Sequence, residues 1–156
     1  FNKFILVSVY TPNSGARSEY RNDEWDPKVY QFLENHINND KPLIYCGDLN
    51  VVHQEIDIHD PKTYRDAKLP GVLMNEREAM NKYLELGYVD IWRNLYPEQN
   101  VYSWWNPRVR GRERNIGWRL DYFLIHKMYQ NIVINSTIHN EIMGSDHCPI
   151  SLEINI

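Results

Sequence analysis

The sequence predicts a layered α/β fold. Three observations point there: short β-branched and aromatic runs recur along the chain, two stretches of helical periodicity interrupt them, and no repeat, low-complexity tract or linker divides the 156 residues. Domains cluster at roughly 100 to 150 residues, so residues 1–156 are expected to form one continuous unit with no second domain.

The first strand is expected over residues 4–10, Phe4-Ile5-Leu6-Val7-Ser8-Val9-Tyr10. The chain opens on Phe1 and is already in this apolar run by residue 4, which reads as an entry partway through a fold. The first helix is expected to start with Asp26 as N-cap and Pro27 at N1, where a missing N–H costs nothing. Val29, Leu33 and Ile37 then form an apolar stripe. A second strand follows at 43–47. The second helix is expected from Asn75, with Glu78 completing a capping-box-like pair, to Gly87, a natural C′ residue. Further strands are expected at 101–105, 119–125, 132–138 and 149–155.

The formal net charge of −4 means that contact with a polyanion has to come from a local basic cluster. One exists in Arg108, Arg110, Arg112, Arg114 and Arg119, set against a single Glu113 and flanked by aromatics, although an arginine run also reads as a solvated loop. Cys46 and Cys148 lack metal-ligand spacing and are too few for a disulfide scaffold, which fits a reducing interior. No stretch approaches the ~20 apolar residues of a membrane span and no signal-peptide pattern appears, so the expectation is no membrane association. The expected location is the cytoplasm in a bacterium, or the nucleus in a eukaryote.

Several strands end in polar clusters, the places where a rigid scaffold presents reactive groups. Asp48 and Asn50 follow the second strand with one residue between them. On an extended chain both side chains point the same way while Leu49 packs inward, a carboxylate beside an amide oxygen that suits a hard cation; Gly47-Asp48-Leu49-Asn50 also reads as a plain turn. Asp146-His147 offers an acid beside an imidazole. Both can serve one site only if the backbone turns there, which Gly144 and Ser145 permit, and the bland reading is a surface loop.

Asp121 lies in an apolar strand and needs a partner, either Arg119 structurally or His147 catalytically. The other histidines, His36, His53, His59, His126 and His139, read as structural or surface residues. Trp104, Trp105 and Trp118 bracket the arginine-rich loop, as core residues or as the walls of a pocket that excludes a base.

Taken in order, Tyr10-Thr11-Pro12-Asn13, Gly47-Asp48-Leu49-Asn50, Asn115-Ile116-Gly117-Trp118-Arg119-Leu120-Asp121-Tyr122 and Gly144-Ser145-Asp146-His147 resemble the exonuclease III family of AP endonucleases, within the endonuclease/exonuclease/phosphatase superfamily. Tyr102-Ser103-Trp104-Trp105 and Ile56-Asp57 agree with it. The resemblance covers essentially the whole chain and about the second half of the family's domain; the Asn and Asp near the start and the metal-anchoring Glu have no counterpart here. It implies a four-layer α/β sandwich, two sheets face to face with helices outside, of which this stretch supplies about the C-terminal half.

The resemblance further implies a DNA repair nuclease that cuts the phosphodiester 5′ to an abasic site in double-stranded DNA, with 3′-exonuclease or phosphodiesterase action, and that is monomeric when complete. Asp48 would orient or deprotonate the attacking water, and Asn50 would help hold the phosphate or a metal. Asp146 would join the metal shell, Asp121 would orient His147, and His147 would bind and polarise the phosphate. Tyr10 and Asn13 would touch the phosphate or stabilise the leaving group. Asp48, Asn50, Asp146 and His147 are the expected ligands of Mg²⁺, or of Mn²⁺ in its place. Trp104, Trp118 and Leu120 would line a dry pocket for the baseless sugar, and Arg108, Arg110 and Arg112 would grip phosphates.

Two departures from the family fall in stretches read as loops, a short one between Asn13 and Tyr20-Arg21 and a long one between Pro61 and Gly71 that carries Tyr64 and Ala67. The competing readings are another enzyme of the superfamily, such as a DNase I-like nuclease or an inositol phosphatase, and a DNA-binding module without cleavage. If one sheet of the sandwich stands without its mate, its inner apolar face is expected to lie in water.

Overall fold

The computed structural model describes residues 1–156 apart from the side chain of Arg17. Strand β1 (Ile5–Tyr10) runs parallel to β2 (Leu43–Asp48), which pairs antiparallel with β6 (Asp121–His126), and β6 pairs antiparallel with β3 (Tyr88–Asp90). The sheet order is therefore β1-β2-β6-β3, a mixed sheet with β1 at one edge. A ribbon of β4 (Trp104–Trp105) with β5 (Gly117–Trp118) and a pair of β7 (Val133–Ile138) with β8 (Ile150–Ile154) complete the β structure.

Alternation along the strands decides what each face of the sheet buries. Leu43, Tyr45, Tyr122 and Leu124 form one core with Val29 and Leu33 of α2 (Asp26–Asn35) and with Met80 and Tyr83 of α4 (Met74–Glu85). On the opposite face Ile44 and Ile125 pack with Ile91 of α5 (Ile91–Leu95) and against Val133, Leu152 and Ile154 of the β7–β8 pair. Three layers result: helices, sheet, and a second β layer. That second layer covers the sheet over β2 and β6, while Leu6 on β1 stays half exposed, so the inner face is open at one edge only.

The helical segments differ from expectation. Helical structure begins far upstream of Asp26, at α1 (Ser14–Tyr20), and passes through a π turn at Arg21–Trp25 straight into α2. Asp26 is thus no N-cap; its N–H bonds to Arg21 O inside the helix. The widened turn accommodates Pro27, which has no N–H to give, and it turns the Arg21 side chain into the interior. Arg21 is buried there against Asp26 at 3.4 Å, Glu76 at 3.1 Å and the carbonyls of Asn50 and Leu49 at 2.8 and 3.1 Å.

Glu76, held by Arg21, reaches back to the N–H groups of Gly71 at 2.8 Å and Leu73 at 3.0 Å. The second helix therefore starts at Met74 on Glu76, and Glu78 is exposed. The stretch 61–71, read as a loop, opens with α3 (Pro61–Asp66), whose N-cap Asp60 accepts from Lys62 N and Thr63 N at 3.1 and 3.3 Å. Of the strand expected over 101–105 only β4 is paired. The run 119–125 begins its pairing at Asp121, because residues 119 and 120 cross between β5 and β6. Among the described residues no helix is long and apolar enough to cross a membrane.

Gly47 is required by a close approach. Its φ is +120°, and a Cβ there would lie 2.1 Å from Val9 O on β1. The β1–β2 pair closes over this missing side chain, and the next residue is Asp48.

Candidate active site

Strand pairing brings the site together. In register, Tyr10 stands opposite Asp48 and Asp48 opposite Asp121, so three strands place these residues in one row at one edge of the sheet. The parallel strands β1 and β2 end there and the antiparallel β6 begins there, where side chains are presented to solvent on a rigid frame.

His147 reaches the row from the loop between β7 and β8. Its Nδ1 lies 2.9 Å from Asp121 Oδ2 and its Nε2 lies 3.9 Å from Asp48 Oδ2. Nδ1–H donated to Asp121 sets the tautomer and aims Nε2 at the opening. Burial alone would lower the His147 pKa, but the Asp121 hydrogen bond and the charges of Asp121, Asp48 and Asp146 outweigh it, so the pKa is raised. The Asp48 carboxyl is pushed up to about 6, chiefly by burial and then by the facing Asp121.

Asn50 does not sit on an extended chain beside Asp48. It takes a left-handed conformation, φ +48°, so its backbone N–H donates to Asp48 Oδ1 at 2.8 Å and its Nδ2 to Asp48 Oδ2 at 3.2 Å and Thr11 O at 2.8 Å. Asn tolerates this conformation because its short side chain bonds locally. The turn reading of Gly47-Asp48-Leu49-Asn50 therefore holds, and the turn fixes both carboxylate oxygens of Asp48. Asn13 Nδ2 donates to Asn50 Oδ1 at 3.4 Å, and Asn13 Oδ1 accepts from Gly15 N at 2.9 Å at the start of α1.

Asp146 is exposed, with Trp104 Nε1 donating to its Oδ2 at 3.1 Å. Slight desolvation acts against its ionisation, but that indole bond, a backbone bond and the His147 charge prevail and hold its carboxyl below the usual range. Asp48, Asn50, Asp146 and His147 do not by themselves close a metal cage: among the described residues no group of three acids, imidazoles or thiols is placed to hold a metal ion. Tyr10 is 67% exposed at the end of its strand.

Trp104 and Trp118 face each other across the β4–β5 ribbon with ring centroids 5.3 Å apart, edge to face. Leu120 lies behind them, buried with Val52, Ile58 and Val72. The apolar wall thus consists of the two indoles, and Leu120 supports it from below.

Arg108 and Arg110 are exposed on the loop that joins the ribbon, and no ion pair engages either among the described residues. Arg112 departs from its expected place on a phosphate. It is half-buried, donates to the backbone carbonyls of Ser145, Asn140 and Ile142, and stacks on Trp105.

Arg119 does not pair with Asp121. Because residues 119 and 120 cross between strands, alternation fails there and the guanidinium turns inward. It spans Asp57 at 2.8 and 2.9 Å and Asp90 at 2.6 and 3.2 Å, and it is fully buried. Arg93 donates to Asp57 from another side. Burial would raise the Asp57 pKa, yet the charges and hydrogen bonds of Arg119 and Arg93 dominate and lower it. Arg119, at the centre of this ion cluster, lies in the chain between Trp118 and Leu120, and its N–H donates to Asp57 O at 2.8 Å; the sequence marked this place only through Ile56-Asp57 in the family resemblance.

Ser103 was not singled out beforehand. Its buried hydroxyl accepts the N–H groups of Leu120 and Asp121 at 3.0 and 3.1 Å, and its carbonyl accepts Cys148 N at 2.8 Å, so it joins the loop of His147 to the start of β6. His36, His53, His126 and His139 each bond a nearby protein group, away from the row.

Comparison with known proteins agrees with this architecture. Residues 2–147 match the Endonuclease/Exonuclease/phosphatase family. An exodeoxyribonuclease of Bacillus subtilis (strain 168) is 42% identical over 160 residues, covering 100% of this chain and 62% of the relative. A DNA-(apurinic or apyrimidinic site) endonuclease of Dictyostelium discoideum is 41% identical, covering 100% of this chain and 44% of the relative. The crystal structure of an AP endonuclease from Leishmania major superposes with a TM-score of 0.85 at 31% identity, over 94% of this chain and 49% of that one. The chain spans about half the length of the curated relatives it matches.

Proposed function

We propose, from the premise that this chain belongs to the endonuclease/exonuclease/phosphatase family, that it is part of a DNA repair nuclease. The whole protein hydrolyses the phosphodiester 5′ to an abasic site in double-stranded DNA, with 3′-exonuclease or phosphodiesterase action at the same site. The observation that carries this reading is the Asp48, His147 and Asp121 cluster opening beside the Trp104 and Trp118 indoles.

Asp48 is the base. A carboxyl held at about 6 is mostly ionised at neutral pH and can still take a proton from an attacking water. Its two oxygens are oriented by Asn50, which keeps the proton-accepting lone pair in one direction. His147, steadied by Asp121 and with its pKa raised, presents Nε2–H to a phosphate oxygen and offsets the charge that builds there. Tyr10, the β1 member of the row, and Asn13 just beyond β1 offer a hydroxyl and an amide to the leaving oxygen.

The donor set fits a hard divalent cation in kind. Asp48 faces Asp121 at a paired position, which concentrates negative charge, and the oxygens of Asp48, Asn50 and Asp146 belong to the ligand class that Mg²⁺ or Mn²⁺ takes. Bound there, the cation supplies positive charge against the phosphate in the transition state.

The indole wall supports recognition by exclusion, since a sugar without a base enters where a base is too large, and extruding it costs little unstacking energy. Arg108 and Arg110 are free to meet flanking phosphates. The test is incision by the full-length protein of an end-labelled duplex with one abasic position. Cleavage on its 5′ side in Mg²⁺, blocked by chelation, is expected; faster turnover of a soluble phosphate ester than of the duplex would place the protein with the superfamily's phosphatases.

A further inference from the structure

Arg112 belongs by sequence to a basic loop, yet both of its terminal nitrogens donate inside the protein, and its Nε is buried without a partner. Nη1 donates to Ser145 O at 2.9 Å and Nη2 to Asn140 O at 3.0 Å, with Ile142 O a second acceptor for Nη2. The guanidinium lies 4.5 Å from the centroid of the Trp105 ring, and Trp105 N donates to Asp146 O at 2.9 Å. The three carbonyls flank Gly144 on both sides. Gly144 has φ +123°, and a Cβ there would meet nothing within 4 Å, so Arg112 grips a turn whose tip is not packed against the rest of the protein. The next residues after that turn are Asp146 and His147.

We propose that Arg112 is a positioning residue for the reaction: it fixes the loop from His139 to Cys148 so that His147 meets Asp121 and Asp48, and it makes no contact with DNA phosphate. This rests on the phosphodiesterase reading of the site given above. Three carbonyls that converge from one loop present the negative ends of three peptide dipoles. A planar, permanently charged fork with five donors satisfies them together, whereas a lysine ammonium concentrates its three donors on one nitrogen and cannot span them. Without the fork the carbonyls turn to water and the imidazole loses its fixed approach to Asp121.

The test uses the full-length protein, with Arg112→Ala and Arg112→Lys beside Arg110→Ala. Both Arg112 variants are expected to lower kcat on abasic duplex about 10- to 100-fold, because a shift of order 1 Å at a reacting group costs about that much. The dependence of log Kd on log salt is expected to keep its wild-type slope in both, whereas Arg110→Ala reduces that slope by about one. A slope reduced by about one in Arg112→Ala, with kcat intact, overturns the proposal.

A second readout needs no turnover. The His147 ring nitrogens, followed by ¹⁵N NMR, are expected to lose the signature of a fixed Nδ1–H in both Arg112 variants, and unchanged ring signals refute the positioning role. If the wild-type protein does not incise abasic DNA, the functional reading falls while the imidazole signals still decide the role of Arg112. Should Arg112→Ala lose its cooperative melt, Arg112→Lys, which keeps the stem on Trp105 and the charge, is the variant to be read.

Discussion

His147 Nδ1 lies 2.9 Å from Asp121 Oδ2, and this bond links a loop near the end of the chain to the first residue of a central strand. The imidazole is thereby held in one tautomer with its other nitrogen 3.9 Å from Asp48.

Replacing Asp121 with Asn removes the charge and keeps the shape. The His147 pKa, raised in the folded protein, is expected to fall, and turnover is expected to drop about 100-fold or more. An NMR titration of the imidazole checks the first. The sign for stability follows: the His147 contribution is fully present below about 6.5 and is lost as pH rises through the higher folded value, and that loss should shrink in Asp121→Asn.

For Asp48, the rate at saturating substrate is expected to rise with pH through about 6, as the carboxyl ionises. Asp48→Asn is expected to lower turnover by about 100-fold or more while leaving duplex affinity within a few-fold. A pH-rate profile and a binding isotherm separate the two effects; an unchanged rate in the variant removes Asp48 from the chemistry.

Arg119 is the buried centre of an ion cluster with Asp57 and Asp90. Arg119→Met leaves two carboxylates with only Arg93 near one of them, and breaking such a pair costs about 3–5 kcal/mol. A urea melt measures it. Changing Asp57, Asp90 and Arg119 together to apolar residues is expected to cost less than Arg119→Met alone.

Gly47→Ala forces a Cβ to within 2.1 Å of Val9 O between two paired strands. Backbone must move, and the expected loss is roughly 1–3 kcal/mol from the unfavourable φ alone, with turnover reduced because Asp48 is the adjacent residue. A variant as stable and as active as wild type would show that the β1–β2 pair yields without moving Asp48.

Among the described residues no group of three acids, imidazoles or thiols is placed to hold a metal ion, so the isolated 156-residue chain is expected to bind Mg²⁺ only weakly and to show no Mg²⁺-dependent incision. Isothermal titration and a gel assay check both, and robust turnover by the isolated chain would refute it.

The strands were legible where β-branched and aromatic residues run together. Ile5 to Tyr10 and Leu43 to Asp48 each pack one face on helices, and their runs of apolar residues say so. Strand β3 was not, because three residues after Gly87 carry too little pattern to separate from a turn. The segment from Ser14 to Trp25 is polar, and its helix is held by Arg21 reaching residues far along the chain, which no local period records. Asp60-Pro61 did carry a local sign of α3, a capping acid before proline, and it passed unread.

Of the site, Asp48 and His147 announced themselves in polar clusters at strand ends and Asp121 as a carboxylate inside an apolar strand, and the structure brings the three together. The fate of the arginines was hidden in the backbone. Whether Arg112 and Arg119 face solvent or interior depends on where a turn and a strand crossing fall, and charge alone carries no such information.

The row formed by Tyr10, Asp48 and Asp121 exists only while three strands keep their pairing to the residue. Sliding one of them by a single position would send its member to the far side of the sheet. Length changes inside those strands are therefore barred, and so are changes in the connection between β7 and β8, because it carries His147 to the row.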